Sequence, residues 1–235
     1  MSFTIVCECC GAPSGPSVGL CPFCKSVMSG STSMESPTVT SLRKLFAEGK
    51  IEAALPLATQ LLASVQGELR EVRFLMLCVQ VLFEAEAPTS KINALLSEAF
   101  LRSPEDQTVL EYMAVMDAKA KLKYEVDSIG EKILRDVLVR QPRHAHAAFL
   151  LGSHFFWAKQ DHHGAGPLLE LCVRERPGFL RAWACLGALY EQQDRKNLAA
   201  AAYRKCAELE PTGSMRSFFL ERLDTVTGQR RKVAS

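Results

Sequence analysis

The fold is decided by the stretch from Trp183 to Pro211, WACLGALYEQQDRKNLAAAAYRKCAELEP. The spacing of its small, large and helix-ending residues predicts two helices that cross closely. Small residues at Gly187 and Ala199 let the two backbones approach, and large side chains fill the space beside the crossing. Pro211 ends the second helix. The residues that carry this pattern are Trp183, Leu186, Gly187, Tyr190, Ala199, Tyr203, Cys206 and Pro211.

The same pattern recurs upstream at a nearly constant period. Its terminal prolines are separated by 38, 35 and 34 residues, and they are Pro104, Pro142, Pro177 and Pro211. Together the spacing and the period resemble the tetratricopeptide (TPR) repeat, a pair of helices with a period of about 34 residues. This resemblance covers roughly residues 40–211 and implies an all-α solenoid.

Three earlier units follow the pattern more loosely than the last one. Before Pro177 the matching residues are Ala148, Leu151, Gly152, Phe155, Ala165, Leu169 and Cys172. Before Pro142 they are Leu110, Met113, Ala114, Asp117, Gly130, Leu134 and Val137. Before Pro104 they are Phe74, Leu77, Cys78, Val81, Ile92, Leu96 and Ala99. Asp117 departs from the pattern, because it stands at a position that the pattern gives to an aromatic residue.

The ends of the repeat region are less regular. A degenerate first unit is expected over residues 42–65, where Pro56 predicts a helix that starts late or bends. The solenoid then spans residues 41–211 with about four to five repeats. A capping helix at 212–227, with Phe218, Phe219 and Leu223 on one side, is expected to cover the last repeat. A short basic tail at 228–235 follows.

The N-terminal 25 residues carry a second pattern, formed by Cys7, Cys10, Cys21 and Cys24. The two Cys-x2-Cys pairs resemble the knuckles of a four-cysteine zinc ribbon. Each pair can supply one edge of a tetrahedral zinc–sulfur shell. Four cysteine ligands leave no open coordination position, so the resemblance implies a structural Zn²⁺. So short a segment buries little apolar area, and the metal would supply most of its folding free energy.

Two alternatives stay open at this site. Cys9 lies between two of the proposed ligands and could replace Cys7 or Cys10, or remain a free thiol. Disulfide or redox chemistry is the other interpretation of the four cysteines. The N-terminus lacks a basic region before its short apolar run, and this favours a reducing compartment and zinc.

Residues 26–40 predict a flexible tether between the two modules. Of the sixteen residues from Ser26 to Ser41, nine are Ser or Thr, a composition that buries too little apolar surface to offset its ordering. Residues 1–40 contain one Lys and no Arg. Binding of phosphates needs several clustered cations, so this composition argues against nucleic-acid binding.

The resemblance to TPR proteins also implies a partner-binding groove, lined by the first helix of each unit. The residues at the corresponding positions are Val72, Leu75, Val79, Leu82, Glu111, Val115, His146, Phe149, Ser153, Phe156, Arg181 and Glu191. This set is largely apolar, which favours an amphipathic helix or an extended hydrophobic segment as the partner. Two alternatives stay open. The chain's own N-terminal helix or zinc module could cover Val72–Leu82, and Phe149, Phe156 and Trp157 could belong to the core between repeats.

These patterns predict a non-enzymatic protein-interaction scaffold or adaptor with a structural zinc module. No phosphate-binding loop or nucleophile motif is present, and Cys78, Cys172, Cys185 and Cys206 have the spacing of small core residues. The alternative is a nucleic-acid-associated regulator in which the ribbon contacts DNA or RNA and the repeats recruit partners. A net charge of +2 gives no general attraction to nucleic acid or membranes. A cytoplasmic protein without a membrane span is expected, and an exposed end of the solenoid would allow self-association.

Overall fold

A computed structural model describes residues 5–6, 13–14, 37–64, 71–123, 127–210 and 214–228. The chain divides into two compact units, residues 1–40 and 41–235. The four predicted zinc ligands, Cys9, and residues 229–235 of the predicted tail lie outside the described residues.

In the first unit the described strands form one antiparallel pair. Strand β1 is Ile5–Val6 and strand β2 is Pro13–Ser14, with Ile5 opposite Ser14 and Val6 opposite Pro13. Helix α1 begins at Pro37, so residues 37–40 belong to a helix and not to the predicted tether. Proline suits this first helical position, because its missing N–H would have no partner there.

Helices make up the described part of the second unit, as the all-α prediction requires. They are α1 (Pro37–Ala47), α2 (Ile51–Ser64), α3 (Val72–Glu84), α4 (Thr89–Arg102), α5 (Gln107–Lys123), α6 (Asp127–Arg140), α7 (Ala145–His154), α8 (His162–Glu175), α9 (Leu180–Gln192), α10 (Lys196–Leu209) and α11 (Ser214–Thr227). A π-helical turn, Phe155–Lys159, extends α7. Asp106 and Asp161 cap the starts of α5 and α8 by accepting hydrogen bonds from backbone amides.

The helices from α3 to α10 pack as four successive pairs: α3 with α4, α5 with α6, α7 with α8, and α9 with α10. Each pair also packs against the next through its neighbouring helices. The first helices α5, α7 and α9 contact one another in sequence order. This is the arrangement that the repeat pattern predicts.

Close crossing within a pair depends on glycine at the predicted small position. A methyl group added at Gly187 in α9 would lie 2.6 Å from the ring of Tyr203 in α10. One added at Gly152 in α7 would lie 3.0 Å from Leu169 in α8. Both contacts join residues that the pattern assigns to the same repeat, so its register is confirmed in these two units.

The register predicted for α5 is wrong by one residue. Leu110, Met113 and Asp117, assigned to the core, are exposed, whereas Glu111, Val115 and Ala118 are buried. Helix α5 has 17 residues, against 13 in α3 and α9. The close crossing of α5 and α6 therefore lies near the end of α5, where Gly130 of α6 contacts Leu122 and Ala118.

At the N-terminal end of the repeat region, the late start predicted for the helix that carries Pro56 is wrong. Helix α2 starts at Ile51 and contains Pro56, so it does not start late. Thr59 donates its hydroxyl to the carbonyls of Leu55 and Pro56 in the same helix. In α11, Phe219 is buried against the preceding repeat, but Phe218 is half-exposed.

Candidate functional site

Most of the predicted groove residues lie in the protein interior, which corrects the sequence prediction. The eight that are at most 3% exposed are Leu75, Val79, Leu82, Glu111, Val115, His146, Phe149 and Phe156. Their side chains are too buried to form an open groove, although Glu111 and His146 also line a small polar cavity. For Phe149 and Phe156 this burial favours the alternative of a core between repeats, whereas Trp157, at 62% exposed, does not fit that alternative.

The other four predicted groove residues are only partly buried. Arg181 pairs with Glu86 at 2.6 Å and lies over the ring of Phe149. Glu191 accepts the hydroxyl of Tyr203 at 2.8 Å and pairs with Arg222 of α11. Ser153 donates to the carbonyl of Leu150 within α7. Val72 is the fourth residue, at the start of α3.

The turn between α1 and α2, residues 48–50, lies against the segment that joins α8 to α9. A methyl group added at Gly178 would lie 2.7 Å from the Cα atom of Gly49. Gly49 has a φ of +74°, a conformation that favours glycine. The Arg176 guanidinium donates to the carbonyl oxygens of Phe46 and Ala47 at the end of α1. The chain's own N-terminal helices therefore contact the entrance to α9.

A buried polar network centres on Glu84, the last residue of α3. Its carboxylate accepts from Arg176 Nε at 2.8 Å and from His146 Nε2 at 3.0 Å. Because an ionised carboxylate can only accept, the Nε2 atom of His146 must carry a proton. The hydroxyl of Tyr112 lies 2.5 Å from His146 Nδ1 and can donate to it. Burial raises the pKa of Tyr112, so its hydroxyl keeps its proton.

An apolar cavity of about 410 Å³ lies on one side of this network. Its walls come from the start of α2, the end of α3, the start of α9, and the junction of α10 with α11. The apolar residues that line it are Ile51, Ala53, Ala85, Phe179, Leu180, Leu209 and Met215. Its charged residues are Lys50, Glu52, Glu84, Glu86, Arg181 and Glu210. A concave apolar surface with a few charged groups is suited to holding part of another molecule.

A smaller, polar cavity of about 260 Å³ lies on the other side of the network, between Phe46, Tyr112 and the start of α7. His144 lines it and caps α7, since its Nδ1 atom accepts from the Ala147 amide at 3.2 Å. The proton of the neutral ring is therefore on Nε2, which is buried without a hydrogen-bond partner in the described part of the chain. Burial, and then the neighbouring His146, lower the pKa of His144 to about 4.

The cysteines of the helices are unsuited to nucleophilic chemistry. Cys78, Cys172 and Cys206 are buried, as their spacing predicts. Burial raises the pKa of the Cys172 and Cys185 thiols, and that of Cys206 to about 12. In the described ranges no three His, Cys, Asp or Glu side chains come together as metal ligands.

The sequence interpretation missed the residues around the apolar cavity and in the polar network. Leu180, Leu209 and Met215 lie at helix ends, and Glu84 and Arg176 lie 92 residues apart. One signal was available in the sequence, because Glu84 ends a largely apolar helix. Its partners could not be identified from local spacing.

Among the helices described, none is long and apolar enough to cross a membrane.

The sequence matches no family model and no curated protein. Solved structures that resemble the chain include the crystal structure of MamA, at 16% identity and a TM-score of 0.41, over 72% of this chain and 94% of that one. A MamA RS-1 ArsTM double mutant has 19% identity and a TM-score of 0.43, over 70% and 92%. TTC0263, a thermophilic TPR protein of Thermus thermophilus, has 18% identity and a TM-score of 0.48, over 79% and 97%.

Proposed function

We propose that the chain is a non-enzymatic scaffold that holds a protein partner at the apolar cavity. The observation that supports this function is the cavity itself, where four separate helical segments meet around a largely apolar surface. Met215 at its edge is 51% exposed, so apolar surface is accessible there. The predicted groove supplies one member of this site, Arg181. The core residues of the groove prediction stabilise the scaffold and do not contact the partner.

The test is capture of partners from native lysate on the full-length protein, with and without nuclease. A second bait carries Leu180→Ser and Met215→Ser, which make the cavity edge polar. A matched control bait carries Leu101→Ser and Val139→Ser, two residues that are 81% and 79% exposed on α4 and α6. We expect a protein that the wild type and the control retain and that the cavity variant loses.

Two results would contradict this function. Equal retention by all three baits would place the partner elsewhere on the chain. A protein that is lost when nuclease is added, and that both substituted baits retain as well as the wild type does, would favour the nucleic-acid-associated alternative.

We also propose that Cys7, Cys10, Cys21 and Cys24 hold a structural Zn²⁺. Four thiolates are a donor set that suits tetrahedral zinc. The metal would order the N-terminal unit, and no chemical step is assigned to it.

The zinc proposal is tested by metal analysis of the purified full-length chain and of single Cys→Ser variants. We expect about one zinc per chain, in line with one four-cysteine shell. Cys10→Ser and Cys24→Ser should lose it, while Cys9→Ser and Cys185→Ser should retain it. Loss with Cys9→Ser and retention with Cys10→Ser would instead make Cys9 the ligand.

A further inference from the structure

The apolar cavity has an acidic edge whose charges are only partly balanced. Its two cations are already engaged, Lys50 with Glu48 at 2.7 Å and Arg181 with Glu86 at 2.6 Å. The Glu84 carboxylate is held by Arg176. Glu52 and Glu210 remain, and no lysine or arginine in the described parts of the chain pairs with either of them.

Glu52 and Glu210 face each other across this edge, from the first turn of α2 and the end of α10. Burial raises the pKa of Glu210, and the nearby Glu52 raises it further through charge repulsion and a side-chain hydrogen bond. Two neighbouring carboxyl groups oppose each other's ionisation. A cation placed between them would remove the repulsion and gain two ionic contacts.

The apolar wall and the acidic pair belong to one opening. Phe179 forms a buried part of the wall, Met215 is exposed at its edge, and Glu52 and Glu210 line the same cavity. A partner that fills it must therefore present an apolar side chain next to a positive charge. Residues three or four apart on a helix meet this requirement, because they project from the same face.

We propose that the cavity binds a basic amphipathic segment of a partner protein, with an apolar side chain inside it and a lysine or arginine between Glu52 and Glu210. The inference rests on the scaffold function and specifies its partner class. The charged contact selects the partner and the apolar contact supplies affinity. An acidic or purely apolar segment is excluded from the same site, since it would leave the two carboxylates unpaired.

The test uses two short, fluorescently labelled synthetic helices and the full-length protein. One has leucines and arginines alternating at spacings of three and four residues. The other has the same leucines, with each arginine replaced by glutamate. Fluorescence anisotropy should show saturable binding of the arginine peptide, weakened by added salt, and no binding of the glutamate peptide. Equal binding of the two peptides, or binding of neither, would overturn the proposed partner class.

Matched variants locate the contact. Glu52→Gln with Glu210→Gln should weaken binding of the arginine peptide by about tenfold or more, as expected for losing close ionic contacts. Glu208→Gln is the control, because Glu208 lies on the same helix and pairs with Lys205 on its exposed side. An equal loss in both proteins would show only a general effect of charge, and would overturn the assignment to this cavity.

The chain's own basic tail is the competing occupant, because Arg230, Arg231, Lys232 and Val233 combine cations with an apolar side chain. A variant that ends at Gly228 should bind the arginine peptide as the full chain does. If the peptide binds only to the shortened chain, the tail is the occupant and an external partner is overturned. If neither peptide binds while the capture experiment still depends on Leu180 and Met215, the scaffold function stands and the partner chemistry is wrong.

Discussion

Arg176 and Glu84 form a bidentate ion pair in the protein interior, between the segment after α8 and the end of α3. Arg176 Nε lies 2.8 Å from Glu84 Oε1, and Arg176 Nη2 lies 3.3 Å from Glu84 Oε2. The same guanidinium lies 3.6 Å from the centre of the Phe46 ring and donates to the Phe46 carbonyl. One side chain therefore connects α1, α3 and the entrance to α9.

Replacement of Arg176 should strongly destabilise the protein. With Arg176→Gln, the Glu84 carboxylate, whose side chain is 1% exposed, loses its cation in a buried position. Removing one partner of a buried pair costs about 3–5 kcal/mol. Urea unfolding measures this free energy, and Arg174→Gln, an exposed neighbour, should change it little. Adding Glu84→Gln to Arg176→Gln should recover part of the loss; no recovery would show that the cost lies in other contacts of Arg176.

The close approach of Gly178 to Gly49 predicts the effect of one methyl group. Gly178→Ala would place that group 2.7 Å from the Gly49 backbone, so the turn between α1 and α2 must move. Overpacking of this kind costs about 1–3 kcal/mol. Hydrogen exchange should show faster opening of residues 44–50. Gly166→Ala has no atom within 4 Å of the new methyl and lies in α8, so stability there should stay equal or rise. Unchanged exchange in Gly178→Ala would contradict the contact.

A substitution of Phe149 tests whether this residue lies in the core or in an open binding groove. It is buried, with its ring centre 4.6 Å from that of Phe179. Phe149→Glu would place an unpaired charge in the core, and changes of this type cost about 4 kcal/mol or more. We expect a large drop in thermal midpoint, or no folded protein by circular dichroism. Leu101→Glu, at an exposed position, should leave the midpoint nearly unchanged. A fully folded Phe149→Glu protein would return Phe149 to an open groove.

His144 predicts a pH dependence of stability. Its pKa is lowered from 6.5 to about 4 in the folded protein, so the unfolded chain binds the proton more readily. This contribution is fully present above pH 6.5 and is lost as the pH falls toward 4, with a total of about 3 kcal/mol. His144→Asn keeps an acceptor for the Ala147 amide and lacks the titrating ring.

Unfolding free energies of both proteins should therefore be compared between pH 7 and pH 4. The wild type should lose more stability than His144→Asn across this interval. Parallel pH profiles for the two proteins would show that His144 is not the responsible group.

Contacts within one repeat could be predicted from the sequence because they are local. Gly187 meets Tyr203 and Gly152 meets Leu169 at spacings that the helix period fixes. The assignment failed in α5, where the helix has 17 residues and the buried face is shifted by one position. A proline period records the length of a repeat, and it does not record how that length is divided between helix and turn.

The sequence by itself determined the helical pairs, their small crossing residues and the four-cysteine pattern, because each follows from spacing over a few helical turns. Tertiary structure alone decided which faces are open. It buried Leu75, Val79 and Phe149 between repeats, and it brought Glu52 beside Glu210. The physical reason is that the same apolar spacing along a helix suits a face that binds a partner and a face that packs against the next repeat. Only the packing of distant segments determines which of the two a residue meets.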